Sequence, residues 1–217
     1  NILYNENFYI NIFNLLKNIK ILKISIYGGL IVAPIASYLE LWGMFFLVDN
    51  YSINKTLAAQ IISFSFIGIG IGGPLVGYLS SLYEKNYVIL IIGNINAIIC
   101  LYVIINIIFL NIILLHILHF FFGFFSSSML LCFVINFNIS ANFKALTLSF
   151  TNTIIIIIAV ISQPIIGKII NTITNQNLFF INCFFDMTSN YQIAIMPLVL
   201  FQIIGLIIML NINFTEK

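Results

Sequence analysis

Charge is what this sequence most lacks. Only 6% of its 217 residues are charged, 62% are hydrophobic, and the mean hydropathy is +1.15. A water-soluble domain cannot cover its surface with so few charges, whereas a helical bundle that faces lipid needs almost none. The net charge of +2 is also too small to favour nucleic-acid binding. We therefore predict an all-α membrane protein that contacts the lipid bilayer and binds no nucleic acid.

Cysteine-based and nucleotide-based chemistry have little support in the sequence. Cys100, Cys132 and Cys183 follow no metal-binding or redox spacing, and the first two lie in apolar runs. The phosphate-binding pattern G-x-x-x-x-G-K-[ST] does not occur, and Ser, His and Asp are scattered along the chain. The sequence therefore predicts that the protein is not an enzyme and holds no cofactor and no metal.

A glycine-rich stretch occupies residues 68–86, GIGIGGPLVGYLSSLYEKN. Its glycines form two pairs four residues apart, namely Gly68 with Gly72 and Gly73 with Gly77. Such pairs make a groove in which a second membrane helix can approach closely. Three of the glycines also satisfy G-x-G-x-x-G, but the apolar run is too long for a strand and Pro74 interrupts the helix that should follow. We therefore interpret the stretch as a helix-packing surface.

Six apolar runs are long enough to cross about 30 Å of hydrocarbon at about 1.5 Å per residue. The predicted spans cover about residues 21–48, 56–79, 87–107, 112–135, 145–170 and 191–210, within a transmembrane bundle at 21–211. Residues 1–20 are predicted to form an interfacial or connecting segment, and 212–217 a polar tail. The chain begins with Asn rather than Met, so we expect it to be part of a longer polypeptide.

The distribution of lysine predicts an orientation. Six spans place both chain ends on one side of the membrane. That side carries Lys17, Lys20, Lys23, Lys85, Lys144 and Lys217, and the other side carries Lys55 and Lys168. Because a lysine excess marks the cytoplasmic face, both termini are predicted to lie in the cytoplasm and the protein in the inner (cytoplasmic) membrane.

Several segments resemble motifs of the major facilitator superfamily of transporters. Residues 77–85, GYLSSLYEK, resemble its G-x-L-[SA]-D-[RK]-x-G-R turn between helices 2 and 3, and FTN at 150–152 with SQPIIG at 162–167 resembles its G-F-T-N … Q-P-[LI]-[LI]-G pattern. YGGL at 27–30, AP at 33–34 and LWG at 41–43 are similar to the seventh helix of a bacterial nutrient and amino-acid uptake subgroup. The resemblance covers about residues 21–211 and implies the C-terminal six-helix half of a twelve-helix bundle.

The resemblance also implies roles for the turn and for the fifth span. It assigns a gating function to Gly73, Gly77, Ser81 and Lys85, and the fifth span adds Pro164 with Gly167 as a candidate hinge. The turn departs from the family pattern, because Ser81 stands where the family has Asp and Leu82 where it has Arg or Lys. We therefore expect a weakened charge relay at the cytoplasmic gate.

Glu40 is the only carboxylate well inside a predicted span. An ionised group there costs roughly 2.5 to 3.5 kcal/mol on insertion scales, which makes it a functional candidate. Gly29, Ala33, Ser37, Glu40 and Gly43 recur at spacings of three and four, so we expect Glu40 to share an inward stripe of small residues. Burial disfavours the charged form of a carboxyl group, which suits proton exchange. The alternative is that Glu40 reaches water or Lys55 and anchors the helix.

His116 and His119 lie three residues apart and are predicted to share one face of the fourth span. Imidazole titrates in the physiological range, so the pair could relay protons or contact a substrate carboxylate; ordinary interfacial histidines are the alternative. Two histidines alone make no closed metal shell. Asn152 and Gln163 on the fifth span are further candidates, whose amides would bond either a substrate or a neighbouring helix.

These features together predict a secondary active transporter of a small polar organic solute, coupled to protons and working by alternating access. Its expected partners are an N-terminal six-helix half on the same or a separate chain, the solute and protons. Two alternatives remain open: an efflux carrier for drugs or metabolites with the same fold, and a non-transporting membrane fragment or assembly subunit.

Overall fold

The computed structural model describes residues 15–107, 111–140, 144–175 and 190–212. Within these ranges the chain contains no β-strand, and six helices are long and apolar enough to cross a membrane. They are α1 (Ile19–Tyr51), α2 (Lys55–Tyr83), α3 (Asn86–Asn106), α4 (Ile112–Ile139), α5 (Lys144–Asn175) and α6 (Asn190–Leu210). The prediction of an all-α chain with six helices able to span a membrane is therefore confirmed for the described residues. Most of the N-terminal segment, the region of Cys183 and most of the polar tail lie outside the described residues.

Asparagine begins three of these helices. The side-chain oxygens of Asn18, Asn54 and Asn111 accept hydrogen bonds from backbone N–H groups in the first turns of α1, α2 and α4. A helix start has four N–H groups without intrahelical partners, and a short amide side chain satisfies some of them. At the other ends, Ser52 and Glu84 adopt positive φ angles of 51° and 52°, which turn the chain out of α1 and α2.

The helices pack in a pattern that repeats between the first three and the last three. The most extensive contacts join α2 to α4 and α1 to α5. The contacts of α3 with α4 correspond to those of α6 with α1. In the same way, α1 contacts α2 as α4 contacts α5, and α2 contacts α3 as α5 contacts α6. The pairs α1 with α4 and α3 with α6 correspond to themselves. Exchanging α1–α3 for α4–α6 leaves this set of contacts unchanged. Because each set has three spans, the second runs through the membrane in the opposite direction to the first.

Two equivalent helices, α2 and α5, are the least covered by the rest of the bundle. Only 33% of the residues in the most apolar stretch of α2 are buried, and 22% in α5, against 39% to 61% in the other four helices. Both helices pack on the central pair α1 and α4, and they make no extensive contact with each other. The outer sides of α2 and of α5 are therefore left uncovered by the described helices.

Glycine brings the backbones of α2 and α4 into contact. A Cβ atom added at Gly68 would collide with backbone atoms of Phe120 and Phe124, and one at Gly123 would collide with the backbone of Ser65. The first predicted glycine pair is therefore confirmed as a packing groove, since Gly72 likewise meets α4. The second pair does not pack: Gly73 meets only the tip of one leucine side chain, and Gly77 faces open space.

Both central helices lose regular α geometry about halfway along. In α1, residues Ile35–Trp42 form a π-helix, in which the N–H of Gly43 donates to the carbonyl of Tyr38 five residues earlier. Pro34 directly precedes this segment and has no N–H to continue the α-helical pattern. In α4, residues Ser127–Met129 form a single 3₁₀ turn. The two irregular segments therefore lie in helices that correspond to each other in the packing pattern.

The α2–α4 contact predicts opposite effects for two glycine substitutions in the same helix. Gly68→Ala should lower the free energy of unfolding by about 1 to 3 kcal/mol, because the added methyl group meets backbone that cannot move aside. Gly70→Ala should leave stability unchanged or raise it by up to about 1 kcal/mol, since nothing lies within 4 Å and Ala favours the helix. Thermal or chemical unfolding of the purified variants measures both, and equal effects would contradict the assigned contact.

Candidate functional site

Polar side chains converge on the π-helical segment of α1. Ser37 lies in this segment, and its Oγ is 2.6 Å from Oγ of Ser162 on α5. The Oγ of Ser162 also lies 2.6 Å from the carbonyl of Ala159 and 3.4 Å from the carbonyl of Ala33. Ser37 and Ser162 share one hydrogen bond, in which either hydroxyl group can be the donor. Both serines are buried, so the contact fixes the position of the irregular turn against α5.

Gln163 and Trp42 add a second connection between the same two helices. The Nε2 of Gln163 donates to the carbonyl of Ala36 at 3.1 Å, which satisfies a backbone acceptor inside the π-helical segment. The Nε1 of Trp42 lies 3.4 Å from the carbonyl of Gln163, and the Trp42 ring covers Gly167. The predicted candidate Gln163 is therefore engaged with another helix, which was one of the two outcomes expected for it.

A fully buried Tyr38–His119 pair joins α1 to α4. The hydroxyl of Tyr38 lies 3.0 Å from Nε2 of His119, and neither side chain is exposed. The Nδ1 of His119 lies 2.8 Å from the carbonyl of Leu115. A carbonyl can only accept, so Nδ1 carries the imidazole proton. The neutral ring then accepts at Nε2, and Tyr38 donates to it.

The two histidines contact different neighbours although they share a helix. His116 is half-buried, and its ring meets Phe64 of α2 edge to face with centroids 4.8 Å apart. Its Nδ1 lies 2.8 Å from the carbonyl of Ile112. His119 turns instead toward Tyr38 of α1. The structure therefore places His119 in the polar interior and His116 against an aromatic ring at the α2 side.

Glu40 does not share the inward stripe of small residues. Gly29, Ala33 and Ser37 are buried, whereas Glu40 is exposed. The stripe was predicted from α-helical spacing, and the π-helix has more residues per turn, so Glu40 is turned away from it. Gly43, the last predicted member of the stripe, follows the π-helical segment and is buried. Glu40 therefore lies on the surface that the six described helices leave uncovered.

The fifth span turns Thr151 inward rather than its neighbour Asn152, which is exposed. The Oγ1 of Thr151 accepts from Nδ2 of Asn136 at 2.9 Å, and the same nitrogen lies 3.1 Å from Oγ of Ser25. All three side chains are buried, and they join α1, α4 and α5 near one end of the bundle. Sequence reasoning missed Ser25, Asn136 and Tyr38. A tyrosine far from either membrane interface was the available signal for Tyr38, since Tyr favours interfaces.

The residues assigned to gating lie on α2, on α5 and in the turn that follows α2. The second helix continues to Tyr83, so the turn predicted at 80–86 is reduced to Glu84 and Lys85. The exposed members of the set are Gly77, Ser81, Lys85 and Pro164, while Gly73 and Gly167 are half-buried. The hydroxyl of Ser81 donates to the carbonyl of Tyr78 in its own helix at 2.8 Å. Pro164 lies within α5, which runs unbroken from residue 144 to 175.

In the part of the chain that the structure describes, no three His, Cys, Asp or Glu side chains come together as a metal site would require. No protein family model matches the sequence, and no curated protein matches it. The arrangement of side chains is therefore the basis for any functional assignment.

The Tyr38–His119 bond predicts a measurable coupling between two substitutions. Tyr38→Phe should lower the free energy of unfolding by about 1 kcal/mol, because it leaves the buried Nε2 of His119 without a donor. The double variant Tyr38→Phe/His119→Phe should be more stable than the sum of the two single changes predicts, since both partners are then apolar. His116→Phe serves as the comparison, with no coupling to Tyr38→Phe expected. Additive effects in both pairs would refute the bond.

Proposed function

We propose that the chain is a secondary active transporter, or the C-terminal six-helix half of one, that moves a small polar organic solute across a cytoplasmic membrane by alternating access. Transporters of this kind are commonly built from inverted repeats, with their binding sites near the middle of the membrane where the repeats meet. The exchange symmetry of the contacts between α1–α3 and α4–α6 supports such a repeat. It also supports the resemblance to the major facilitator superfamily.

The observation that carries the proposal is the pair of irregular turns in the equivalent helices α1 and α4. Irregular backbone at membrane depth is tolerated only where it is buried in protein or lines a water-filled cavity. Transporters use such interruptions, at corresponding positions of their repeats, to bind substrates and coupling ions. Ser37, Tyr38 and His119 place hydroxyl and imidazole groups beside the π-helical turn. These groups are buried, so a polar solute would take the place of the hydrogen bonds that they make with Ser162 and with each other.

The uncovered sides of α2 and α5 support a second six-helix half as a partner. Gly70 and Gly77 face open space on α2, so a neighbouring helix could approach its backbone closely. The predicted gating residues Ser81 on α2 and Pro164 on α5 are also exposed. Alternating access then corresponds to rocking of the two halves against each other around the central helices.

Proton coupling through Glu40 completes the proposed mechanism. Glu40 precedes Asp49 by nine positions, which is about 13 Å along a helix. An ionised carboxylate at that depth is costly in lipid, so its exposed position is best explained by a water-filled cavity between two halves. The lysine excess at the ends of α2 and α4, where Lys85 and Lys144 lie, favours a cytoplasmic location for both termini.

Proton-driven uptake should depend on Glu40. We expect Glu40→Gln to reduce uptake of the transported solute into proteoliposomes to background under an imposed proton gradient, because the amide cannot exchange a proton. Glu84→Gln is the matched control, since Glu84 is an exposed carboxylate outside the spans, and it should retain uptake. Both variants should insert normally. Undiminished proton-driven uptake by Glu40→Gln would remove this residue from the mechanism.

The solute itself can be identified by ligand-induced stabilisation. A molecule that binds the folded state raises the free energy of unfolding by mass action, by about 2.7 kcal/mol at a hundredfold excess over its dissociation constant, and the unfolding temperature rises with it. We expect at least one member of a panel of amino acids, sugars and organic acids to stabilise the full-length protein. The same molecule should stabilise the Tyr38→Phe variant less. Absence of stabilisation by the entire panel would count against a small polar solute.

A further inference from the structure

A small pocket with mixed chemistry opens at the end of α1. Its volume is about 150 Å³, and its lining residues are Met44, Phe45, Val48, Asp49, Lys55 and Tyr191. They come from the last turns of α1, the first residue of α2 and the first turn of α6. Because three spanning helices end or begin here, the pocket lies at a membrane boundary. It is the boundary opposite to the one that carries Lys85 and Lys144.

Asp49 and Lys55 bring opposite charges to this pocket. Both side chains are exposed, and neither forms an ion pair within the described ranges of the chain. Each also lies at the unfavourable end of its helix: Asp49 is near the negative C-terminal end of α1, and Lys55 is at the positive N-terminal end of α2. Helix stability therefore accounts for neither charge, and both remain available to a ligand.

An apolar track leads from the charged pocket into the membrane. Phe45 forms one wall, and its ring stacks on Tyr191 with centroids 6.4 Å apart and planes 11° apart. Leu41 lies one turn earlier on the same helix, and both Leu41 and Phe45 are about 40% exposed. A ligand that filled only the charged pocket would make no contact with this apolar track. A ligand with a polar head and an apolar chain covers both.

We propose that the pocket binds the phosphoethanolamine headgroup of a phospholipid. The ammonium group of Lys55 contacts the phosphate, and the carboxylate of Asp49 accepts hydrogen bonds from the primary ammonium of the headgroup. One acyl chain lies along Phe45 and Leu41. The volume of about 150 Å³ is below the 300 to 1,000 Å³ of sites for drug-sized ligands, which fits a headgroup better than a bulky solute.

In this proposal Lys55 recognises the phosphate of the headgroup, and Asp49 recognises its primary ammonium group. A choline headgroup keeps the phosphate for Lys55 but has no N–H group to donate to Asp49. Phosphatidylethanolamine should therefore bind more tightly than phosphatidylcholine, and Asp49 should be responsible for the difference. Lys55 should contribute to the binding of both lipids.

Native mass spectrometry of the full chain in mild detergent, titrated with each lipid, tests this assignment. The wild-type protein should bind phosphatidylethanolamine about tenfold more tightly than phosphatidylcholine, the size expected for a hydrogen bond to a charged group. Asp49→Asn should remove that preference, and Lys55→Gln should weaken the binding of both lipids about tenfold. Both side chains are exposed, so the variants should fold, and their unfolding temperatures verify this.

The double variant Glu84→Gln/Lys85→Gln is the matched control, because it removes an exposed acid and base at the opposite membrane boundary. It should keep the wild-type lipid preference. Equal affinity of the wild-type protein for the two lipids would overturn the proposal, as would an unchanged preference in Asp49→Asn together with unchanged binding in Lys55→Gln. Competition by soluble phosphoethanolamine at the same concentrations as the lipid would assign the pocket to a free zwitterion and refute the lipid.

Discussion

Every backbone group that leaves α-helical pairing inside hydrocarbon must find a partner within the protein, because no water is present to bond it. The π-helical segment of α1 shows how this requirement is met. The carbonyl of Ala36 accepts from Gln163, the carbonyl of Tyr38 accepts from the N–H of Gly43, and Ser37 is held by Ser162. Ser162 and Gln163 of α5 therefore lie opposite the irregular segment of α1 and form hydrogen bonds with it. The same requirement explains why polar side chains cluster in an otherwise apolar bundle.

The number and lengths of the helices could be predicted from the sequence because lipid imposes a long apolar run on each span. The packing of Gly68 and Gly72 was also predictable from small residues four apart, whereas the same spacing at Gly73 and Gly77 does not produce a contact with another helix backbone. The face that each polar residue occupies was harder to obtain. Thr151 and Asn152 are adjacent, and composition does not distinguish the buried one from the exposed one.

The position of Glu40 illustrates a more general reason for such errors. Helical spacing predicts faces only while the helix keeps its period, and Pro34 begins a segment with a different one. Within that segment, spacings of three and four no longer define a single face, so Glu40 is exposed although Ser37 and Gly43 are buried. Tyr38 was missed for a related reason, because its partner His119 is distant in sequence and the pairing depends on how α1 meets α4.

The backbone contact between α2 and α4 has a mechanical consequence. At Gly68 and Gly123 no layer of side chains separates the two helices, so there are no rotamers to adjust when one of them is displaced. A direct backbone contact of this kind couples the displacements of the two helices. We therefore expect a displacement of α2 to move α4, the helix that carries His119, together with it as one rigid body.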